Sequence, residues 1–537
     1  MAPFVALTGF MGSGKTSVGR EVAAELAVPF IDLDEELSRV TRSGIPEFFA
    51  AHGESGFRRK EREVLETVLH RATEGAGLVV ALGGGTLESP RAAELLAALG
   101  GVVLLDVDAG TAWARVEGSS RPLAVDRQQF AALLARRRTT YYTVADWILP
   151  AGERSIPQLA AELVELVTLS GEHWQGLWGR RLRATERTSI IVGGKGALDS
   201  LAPRAAGVRA AGSRLFVLTD SNVMDAWGDQ VLQLMGLSRS DAALVVEPGE
   251  SSKSITTLEQ CWNWLADRGA HRDDVIVALG GGVVGDLAGF VAATYQRGVS
   301  LWQIPTSLLA QVDSSVGGKT AINLKAGKNL VGSFYQPDVV VADPCVLATL
   351  PDDEFVAGLG EVVKCALLAS PALFNRLEEV AEAVRRRDPA VISEMVRRCV
   401  FYKSEVVEED EREAGGRAVL NLGHTTAHAL EVTQGYGVLR HGTAVALGLL
   451  VALAVSERLL GLDPRVSERT RLLLGTLGLP TTIRLPEVDG LVSAARRDKK
   501  AKAGSTGFVG LADVGAPVWG LDLTDDMLSE ALEVIRE

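Results

Sequence analysis

The apolar run FVALTG (residues 4–9) ends in glycine, and TSVGREVAAELA (16–27) behind it repeats its hydrophobic positions at helical spacing. PFIDLDEEL (29–37) reads as a short strand running into a helix. GLVVALGGG (77–85) and GVVLLDV (101–107) read as buried strands, and IPQLAAELVELVTL (156–169) as a closing amphipathic helix. Continuously apolar strands alternating with helices predict a parallel sheet covered on both faces. Residues 171–187 have no clean period and are rich in arginine, which predicts a linker. A second strand–helix series follows, in SIIVGGKGAL (189–198), RLFVLTDSNV (214–223), DVIVALGGGVVGDLAGFVA (274–292) and LWQIPTSLLAQVDSS (301–315). Past about residue 350 the pattern is that of long helices. The pattern thus divides the chain into an α/β domain over 1–170, the linker, a second α/β domain over 188–350 and a mostly helical domain over 351–537. VALGGG occurs at 80–85 and again at 277–282, but the flanks do not match, so the two are separate uses of one glycine turn.

A chain of 537 residues is too long for one core, in agreement with that division. Hydrophobic content of 47% and charged content of 23% are those of an ordinary globular protein. There is no run of eighteen apolar residues, so no membrane span is expected. The opening MAPFVALTGFMGSGKT is broken by glycines and a lysine and does not read as a signal peptide. Cys261, Cys345, Cys365 and Cys399 are scattered, without a CxxC pair, which fits free thiols in a reducing cytoplasm. The formal charge of −13 argues against a nucleic-acid partner and makes any local cluster of cations more informative.

GFMGSGKT (9–16) satisfies G-x-x-x-x-G-K-[ST] between a strand and a helix, the context of a phosphate-binding P-loop. The candidate ATP contacts are Gly12, Ser13, Gly14, Lys15, Thr16 and the adjoining Ser17, with Lys15 reaching the β- and γ-phosphates and the Thr16 hydroxyl on Mg²⁺. Downstream come Asp32 and Asp34 at a strand end, Arg58 in FRRKE, the bare turn GGG (83–85), Arg121 in RPL, and Arg136 to Arg138 in RRRTTYY. Taken singly, each of these is an ordinary cap or solvated charge. In this order after a P-loop, the stretch from residue 1 to about 168 resembles shikimate kinase. The resemblance implies that Asp34, Arg58, Gly84 and Arg137 hold shikimate. It further implies that Asp32 lies by the magnesium and orients the attacking hydroxyl, and that Arg121 is a lid arginine over the nucleotide.

In the second half, GGGVVGDLAGFVA (280–292) follows the strand VIVAL, where small residues let backbone approach a pyrophosphate. Candidate dinucleotide contacts are Gly281, Gly282, Val283 and Asp286, then Thr306 and Ser307, with Asp220, Asn222, Glu250 and Lys253 placed for ribose hydroxyls. DSSVGGKTAINLKAGKNLVGSF (313–334) carries Lys319, Lys325 and Lys328 with Asn329, and GLGEVVKCAL adds Glu361 and Lys364 on one helix face. Lys403, Arg417, Asn421, Lys499 and Lys500 follow. So many cations in an acidic chain point to a ligand bearing both carboxylate and phosphate. His424, His428 and His441 fall within eighteen residues, and His424 and His428 share a helix face, so spacing alone nominates both as metal ligands.

From about residue 185 onward, GGGVVGD, DSSVGGKT, GEVVK, GHTTAHA and HG together resemble 3-dehydroquinate synthase. That resemblance implies a zinc (or cobalt) ion on Glu361, His424 and His441, with His428 turned to substrate. It implies substrate or catalytic roles for Asp313, Lys319, Asn329, Lys364, Lys403, Arg417 and Asn421, with one of Lys499 and Lys500, and sets Lys319 and Lys328 close to NAD. Arg297 matches an arginine that reaches the neighbouring subunit, which implies a homodimer. Gly360 stands where alanine is usual, and Ala427 where glycine is common. In this family NAD⁺ takes and returns a hydride, phosphate leaves by elimination, and ring opening and an internal aldol closure follow, with no net redox change. The whole chain is thus expected to be a fusion: a P-loop kinase domain, then a Rossmann-like NAD domain, then a helical metal domain. It would phosphorylate shikimate with Mg²⁺-ATP and form 3-dehydroquinate from 3-deoxy-arabino-heptulosonate 7-phosphate. The alternatives are a polyol dehydrogenase or sibling sugar-phosphate cyclase in the second half, and an ATP-sensing module in the first.

Overall fold

The computed structural model describes residues 3–73, 77–118, 126–152, 154–185, 187–435, 438–485, 487–501 and 507–537, without the side chains of 73 and 497–501. The chain folds as two compact units, Met1–Arg181 and Leu182–Glu537.

In the first unit, six parallel strands lie in the order β2-β3-β1-β4-β5-β6, the last of them running two residues past Arg181. They are β1 (Phe4–Thr8), β2 (Phe30–Asp32), β3 (Leu78–Ala81), β4 (Val102–Asp106), β5 (Trp147–Pro150) and β6 (Trp178–Arg183). β1 is buried at every position because β3 and β4 flank it and helices cover both faces. Its C-terminal end opens into the P-loop, where strand order reverses and α/β sheets bind ligands. Within the segment read as a linker, residues 171–176 and 178–183 form regular structure instead. Gly171–Gly176 is a 3-10 turn, and β6 pairs with β5 through Trp147↔Gly179 and Ile148↔Arg180. Trp174 is the anchor: it stacks on Trp147 at 4.9 Å and donates its indole N–H to Phe4 O at 2.9 Å. Two tryptophans at irregular spacing hide such a strand from a periodicity search.

In the second unit, six parallel strands run β7-β14-β11-β10-β8-β9. They are β7 (Thr188–Gly193), β8 (Leu215–Asp220), β9 (Ala243–Val246), β10 (Val275–Gly280), β11 (Ser300–Pro305) and β14 (Val339–Ala342). Phe216, Leu218, Ile276, Leu287, Val291 and Leu301 form part of a buried core on one face. The lysine-rich stretch after β11 makes an antiparallel hairpin, β12 (Lys319–Leu324) with β13 (Gly327–Phe334). Long helices follow, chief among them Asp352–Ala369, Pro389–Glu409, His424–Gln434 and His441–Leu460. A last hairpin pairs β15 (Phe508–Asp513) with β16 (Ala516–Leu521). The division expected at 350 separates an α/β part from a helical part, but both lie in one compact unit. The cause is close packing: a Cβ at Gly358 would lie 2.9 Å from Leu308 Cβ and 3.0 Å from Leu309 N. Among the described residues, His441–Leu460 is the one helix long and apolar enough to cross a membrane, and most of it is buried inside the unit.

Candidate active sites

The P-loop begins at the end of β1 and closes on the helix Lys15–Glu25. Gly12 and Gly14 sit at φ 83° and 92°, and a Cβ on Gly12 would come within 2.7 Å of Ala112 O, so glycine is required at 12 on two counts. Lys15 Nζ donates to Gly9 O at 2.8 Å and Phe10 O at 3.1 Å, placing its charge over the loop. Thr16 Oγ1 donates to Asp32 Oδ2 at 2.7 Å. The other oxygen of Asp32 caps the helix Leu33–Thr41 through Asp34 N and Glu35 N. The Thr16 hydroxyl and the Asp32 carboxylate are therefore one oxygen cluster at the helix N-terminus, a donor set suited to Mg²⁺ beside a phosphate. Ser13 is buried and Ser17 exposed in the first helical turn.

A second cluster lies around Gly83–Gly85. A Cβ on Gly83 would lie 2.9 Å from both Asp34 Oδ1 and Glu61 Oε1, so the bare turn leaves room for these carboxylates. Tyr141 donates to Gly84 O at 2.5 Å, and burial pushes its phenol up to about 12, which keeps that donor protonated. Arg58 and Arg137 both reach this turn. Arg58 is held by Glu61 at 2.9 Å and Glu88 at 3.2 Å, and Arg137 by Glu88 at 2.5 Å. Burial alone would raise the Glu88 carboxyl, yet Arg137, Arg58 and Arg136 hold it below the usual range. Asp34, Arg58, Gly84 and Arg137 are thus brought together, whereas Arg121 lies outside the described residues.

In the second unit, β10 runs into Gly281 and the helix Gly282–Thr294, whose N-terminus has no side-chain cap. Cβ atoms on Gly281 and Gly282 would lie 3.3 Å from Ser307 Oγ and 3.1 Å from Ser314 Oγ, so a side chain at either position would crowd a serine, and the uncapped helix start is of the kind that suits a pyrophosphate. Val283 and Asp286 lie in the first turns of that helix, and Thr306 donates its N–H to Gly280 O at 3.0 Å. Lys253 is buried and donates to Asp286 at 2.7 Å and to the Asn329 side chain. Burial raises the Asp286 carboxyl, with Lys253 opposing. Asn323 donates to Glu250 at 2.7 Å. Asp220 caps the short turn Ser221–Val223, which holds Asn222.

The metal candidates converge where three helices cross. Glycines set the approach: a Cβ on Gly360 would collide with Gly442, one on Gly442 with Ala357 O, and one on Gly423 would lie 2.9 Å from Leu449 N. Gly423, at φ 78°, caps the helix that begins with His424, and His441 begins the next one. The outcome is that His424 Nε2 lies 3.6 Å and His441 Nε2 3.7 Å from Glu361 Oε1. That oxygen is buried and accepts no hydrogen bond among the described residues. Each imidazole has its other nitrogen engaged, His424 Nδ1 with Leu422 O at 3.2 Å and His441 Nδ1 with Glu431 at 3.3 Å. Burial first, then Lys364 and the other two histidines, keep His424 neutral and able to donate a lone pair. Burial lowers His441, but Glu431 and Glu361 outweigh it and raise the group. An orphaned carboxylate oxygen facing two anchored imidazoles fits a divalent ion such as zinc. His428 joins a different trio, with Glu431 and His441.

The cations lie around this point. Lys364 Nζ is 2.5 Å from Glu361 Oε2, one helical turn along. Asp313, on a π-turn (Ala310–Ser314), accepts from Lys403 at 2.7 Å. Burial opposes its charge, but Lys403 and Lys364 hold its carboxyl far below the ordinary range. The same burial lowers Lys403, with Asp313 opposing. Lys319 donates to Glu413 at 2.5 Å and Asn421 to Glu413 at 2.8 Å. Arg417 is buried against Gly317 O at 3.1 Å and Glu411 O. Lys328 lies 3.6 Å from Glu431, and Arg297 is exposed on a turn at φ 64°. The side chains of Lys499 and Lys500 lie outside those described.

The missed residues that pair with the candidate cations and histidines are carboxylates: Glu61, Glu88, Glu413 and Glu431. Helical spacing marks two of them, Glu61 at i+3 from Arg58 and Glu431 at i+3 from His428. Glu88 and Glu413 arrive through turns and leave no periodic signal.

Family comparisons agree with this geometry. The shikimate kinase family model matches residues 11–168, the 3-dehydroquinate synthase N-terminal model 243–357 and the C-terminal model 358–501. A 3-dehydroquinate synthase from Caulobacter vibrioides is 45% identical over 338 residues, which is 62% of this chain and 91% of that protein. Among solved structures, a 2-deoxy-scyllo-inosose synthase complexed with carbaglucose-6-phosphate, NAD⁺ and Co²⁺ aligns with TM-score 0.60 at 26% identity, over 66% of this chain and 99% of its own. ValA, a 2-epi-5-epi-valiolone synthase from Streptomyces hygroscopicus subsp. jinggangensis with NAD⁺ and Zn²⁺ bound, aligns with TM-score 0.59 at 25% identity, over 66% and 98%.

Proposed function

Because the chain belongs to the 3-dehydroquinate synthase family and carries a shikimate kinase domain ahead of the synthase, we propose that it is a bifunctional shikimate-pathway enzyme. The first unit phosphorylates shikimate to shikimate 3-phosphate with ATP. The second converts 3-deoxy-arabino-heptulosonate 7-phosphate to 3-dehydroquinate and phosphate. The observation that carries the synthase reading is the orphaned Glu361 oxygen facing His424 and His441, with Lys364 and the Asp313–Lys403 pair beside it.

In the kinase, P-loop N–H groups and Lys15 hold the phosphates, and Arg121 is assigned to the nucleotide by its match to the family's lid arginine. Magnesium, when bound near Thr16 and Asp32, supplies charge neutralisation at the transferring phosphoryl group. Asp32 orients the attacking hydroxyl and Asp34 accepts from the neighbouring one. Arg58 and Arg137 clamp the carboxylate bidentately beside the Gly84 turn.

In the synthase, NAD and zinc or cobalt supply a reversible hydride acceptor and a Lewis acid when bound. Glu361, His424 and His441 would hold the metal. The open N-terminus at Gly281–Val283, with Asp286, Thr306 and Ser307, receives the pyrophosphate side, and Asp220, Asn222, Glu250 and Lys253 the ribose side. Lys364, Lys403, Arg417 and Lys499 or Lys500 bind the substrate, with Asp313 accepting from Lys403 and so orienting it. Lys319, Asn329 and Asn421 join them as substrate or catalytic residues, Lys328 lies nearer the cofactor, and His428 turns to substrate. Arg297 of a second copy completes the phosphate site, so the working form is a homodimer. Exposed Leu324, Leu330 and Phe334 on the β12–β13 hairpin support an interface. The compartment is the cytoplasm, in keeping with four free cysteines.

Two assays test the proposal. Heptulosonate phosphate should release phosphate without net NADH, and shikimate should drive ADP formation. Net NADH would instead mean a polyol dehydrogenase. Turnover of a different sugar phosphate alone would mean a sibling cyclase. A folded protein without shikimate-dependent ADP would mean an ATP-sensing module.

A further inference from the structure

Glu88 ends the short turn Thr86–Glu88 that leaves the Gly83–Gly85 loop. One of its oxygens accepts from Arg137 at 2.5 Å and Arg58 at 3.2 Å, and the other from Arg136 at 3.4 Å. It therefore lies where a bound carboxylate would meet the Arg58–Arg137 fork. Glu61 also touches Arg58, at 2.9 Å, but its other oxygen accepts from Thr86 at 2.7 Å and it is buried. The exposures are unequal in an informative way. The Arg137 side chain is 6% exposed and cannot leave, Glu88 is 29% exposed, and Arg136 is 70% exposed on the outer side. Arg58 is 24% exposed, close to Glu88, so Arg137 is the fixed cation of the fork, with an outer arginine beside Glu88 ready to receive it.

We propose that Glu88 is an internal competitor for the carboxylate subsite: it occupies the Arg58–Arg137 fork in the free enzyme and transfers to Arg136 when a carboxylate substrate enters. It acts as a specificity-determining residue, because only a ligand carrying full negative charge replaces what the fork loses. This rests on the kinase reading above. The exchange makes and breaks ion pairs only.

The test is steady-state kinase kinetics on the full chain. Glu88→Gln, and independently Glu88→Ala as a guard against a folding defect in either, should lower KM for shikimate by about threefold to tenfold with a smaller change in kcat. Arg136→Ala should raise KM in the wild-type background and have no effect on Glu88→Gln, since the outer anchor matters only while Glu88 competes. An unchanged or raised KM in both Glu88 variants would overturn the proposal and make Glu88 a structural support for the arginines. Arg137→Ala separates this from failure of the underlying reading. If it leaves KM for shikimate unchanged, the carboxylate subsite itself is misassigned and both fall. If it raises KM while the Glu88 variants do not lower it, only the competitor role is lost.

Discussion

His424 Nε2 stands 3.6 Å from Glu361 Oε1, although the two come from separate helices and neither contributes to the other's fold locally. His441 Nε2 approaches the same oxygen at 3.7 Å. No ordinary hydrogen bond explains a buried carboxylate oxygen that two imidazoles share at that range. Glu361→Gln and His441→Ala should each yield folded protein with little bound zinc by elemental analysis. Phosphate release should fall by about 100-fold or more, and ADP formation from shikimate should be unaffected.

The reverse should hold for the P-loop. Lys15 lies over the loop carbonyls and Thr16 is tied to Asp32, all within the first unit. Lys15→Ala is expected to reduce shikimate-dependent ADP formation by about 100-fold or more while phosphate release by the synthase stays at the wild-type rate. A folded variant of either kind that silences both activities would contradict two independent sites.

These sites were legible in the sequence to different depths, for physical reasons. The P-loop is a local motif: one strand, one turn and one helix contain it, so spacing identifies Lys15 and Thr16 directly. The metal trio is non-local. Spacing gathers His424, His428 and His441 and nominates the first two, and only the resemblance makes Glu361, His424 and His441 the ligand set. The convergence depends on helices crossing at Gly360, Gly423 and Gly442, which no single-helix pattern reveals. The β6 strand and the β12–β13 hairpin escaped because their residues alternate irregularly between tryptophan, arginine, lysine and glycine. Glu88 and Glu413 escaped because turns deliver them.

Gly442 offers a test of that crossing. A Cβ there would run into Ala357 O, one turn before Glu361, so neither helix can keep its place. Gly442→Ala should destabilise the second unit by about 1–3 kcal/mol and weaken zinc retention against a chelator. Gly475 meets nothing within 4 Å, and Gly475→Ala should leave both unchanged or slightly improved.

Asp274 gives the pH dependence of stability a definite sign. Its carboxylate accepts from Arg214 N at 2.8 Å, His271 N at 2.8 Å and the Arg214 guanidinium at 2.9 Å, joining β8 to β10. Burial would raise the group, but these donors prevail and hold it below its ordinary value. The folded state then binds fewer protons than the unfolded chain, so the contribution is complete above the unfolded pKa of about 3.9 and is lost as pH falls through the lower folded value. Asp274→Asn leaves at least one donor poorly matched, at a cost of about 1–3 kcal/mol near neutrality. Urea-unfolding midpoints between about pH 3 and 7 should therefore show a constant gap from wild type down to about pH 4, then a narrowing one. A gap that widened on acidification would show that Asp274 is not held ionised by Arg214 and His271.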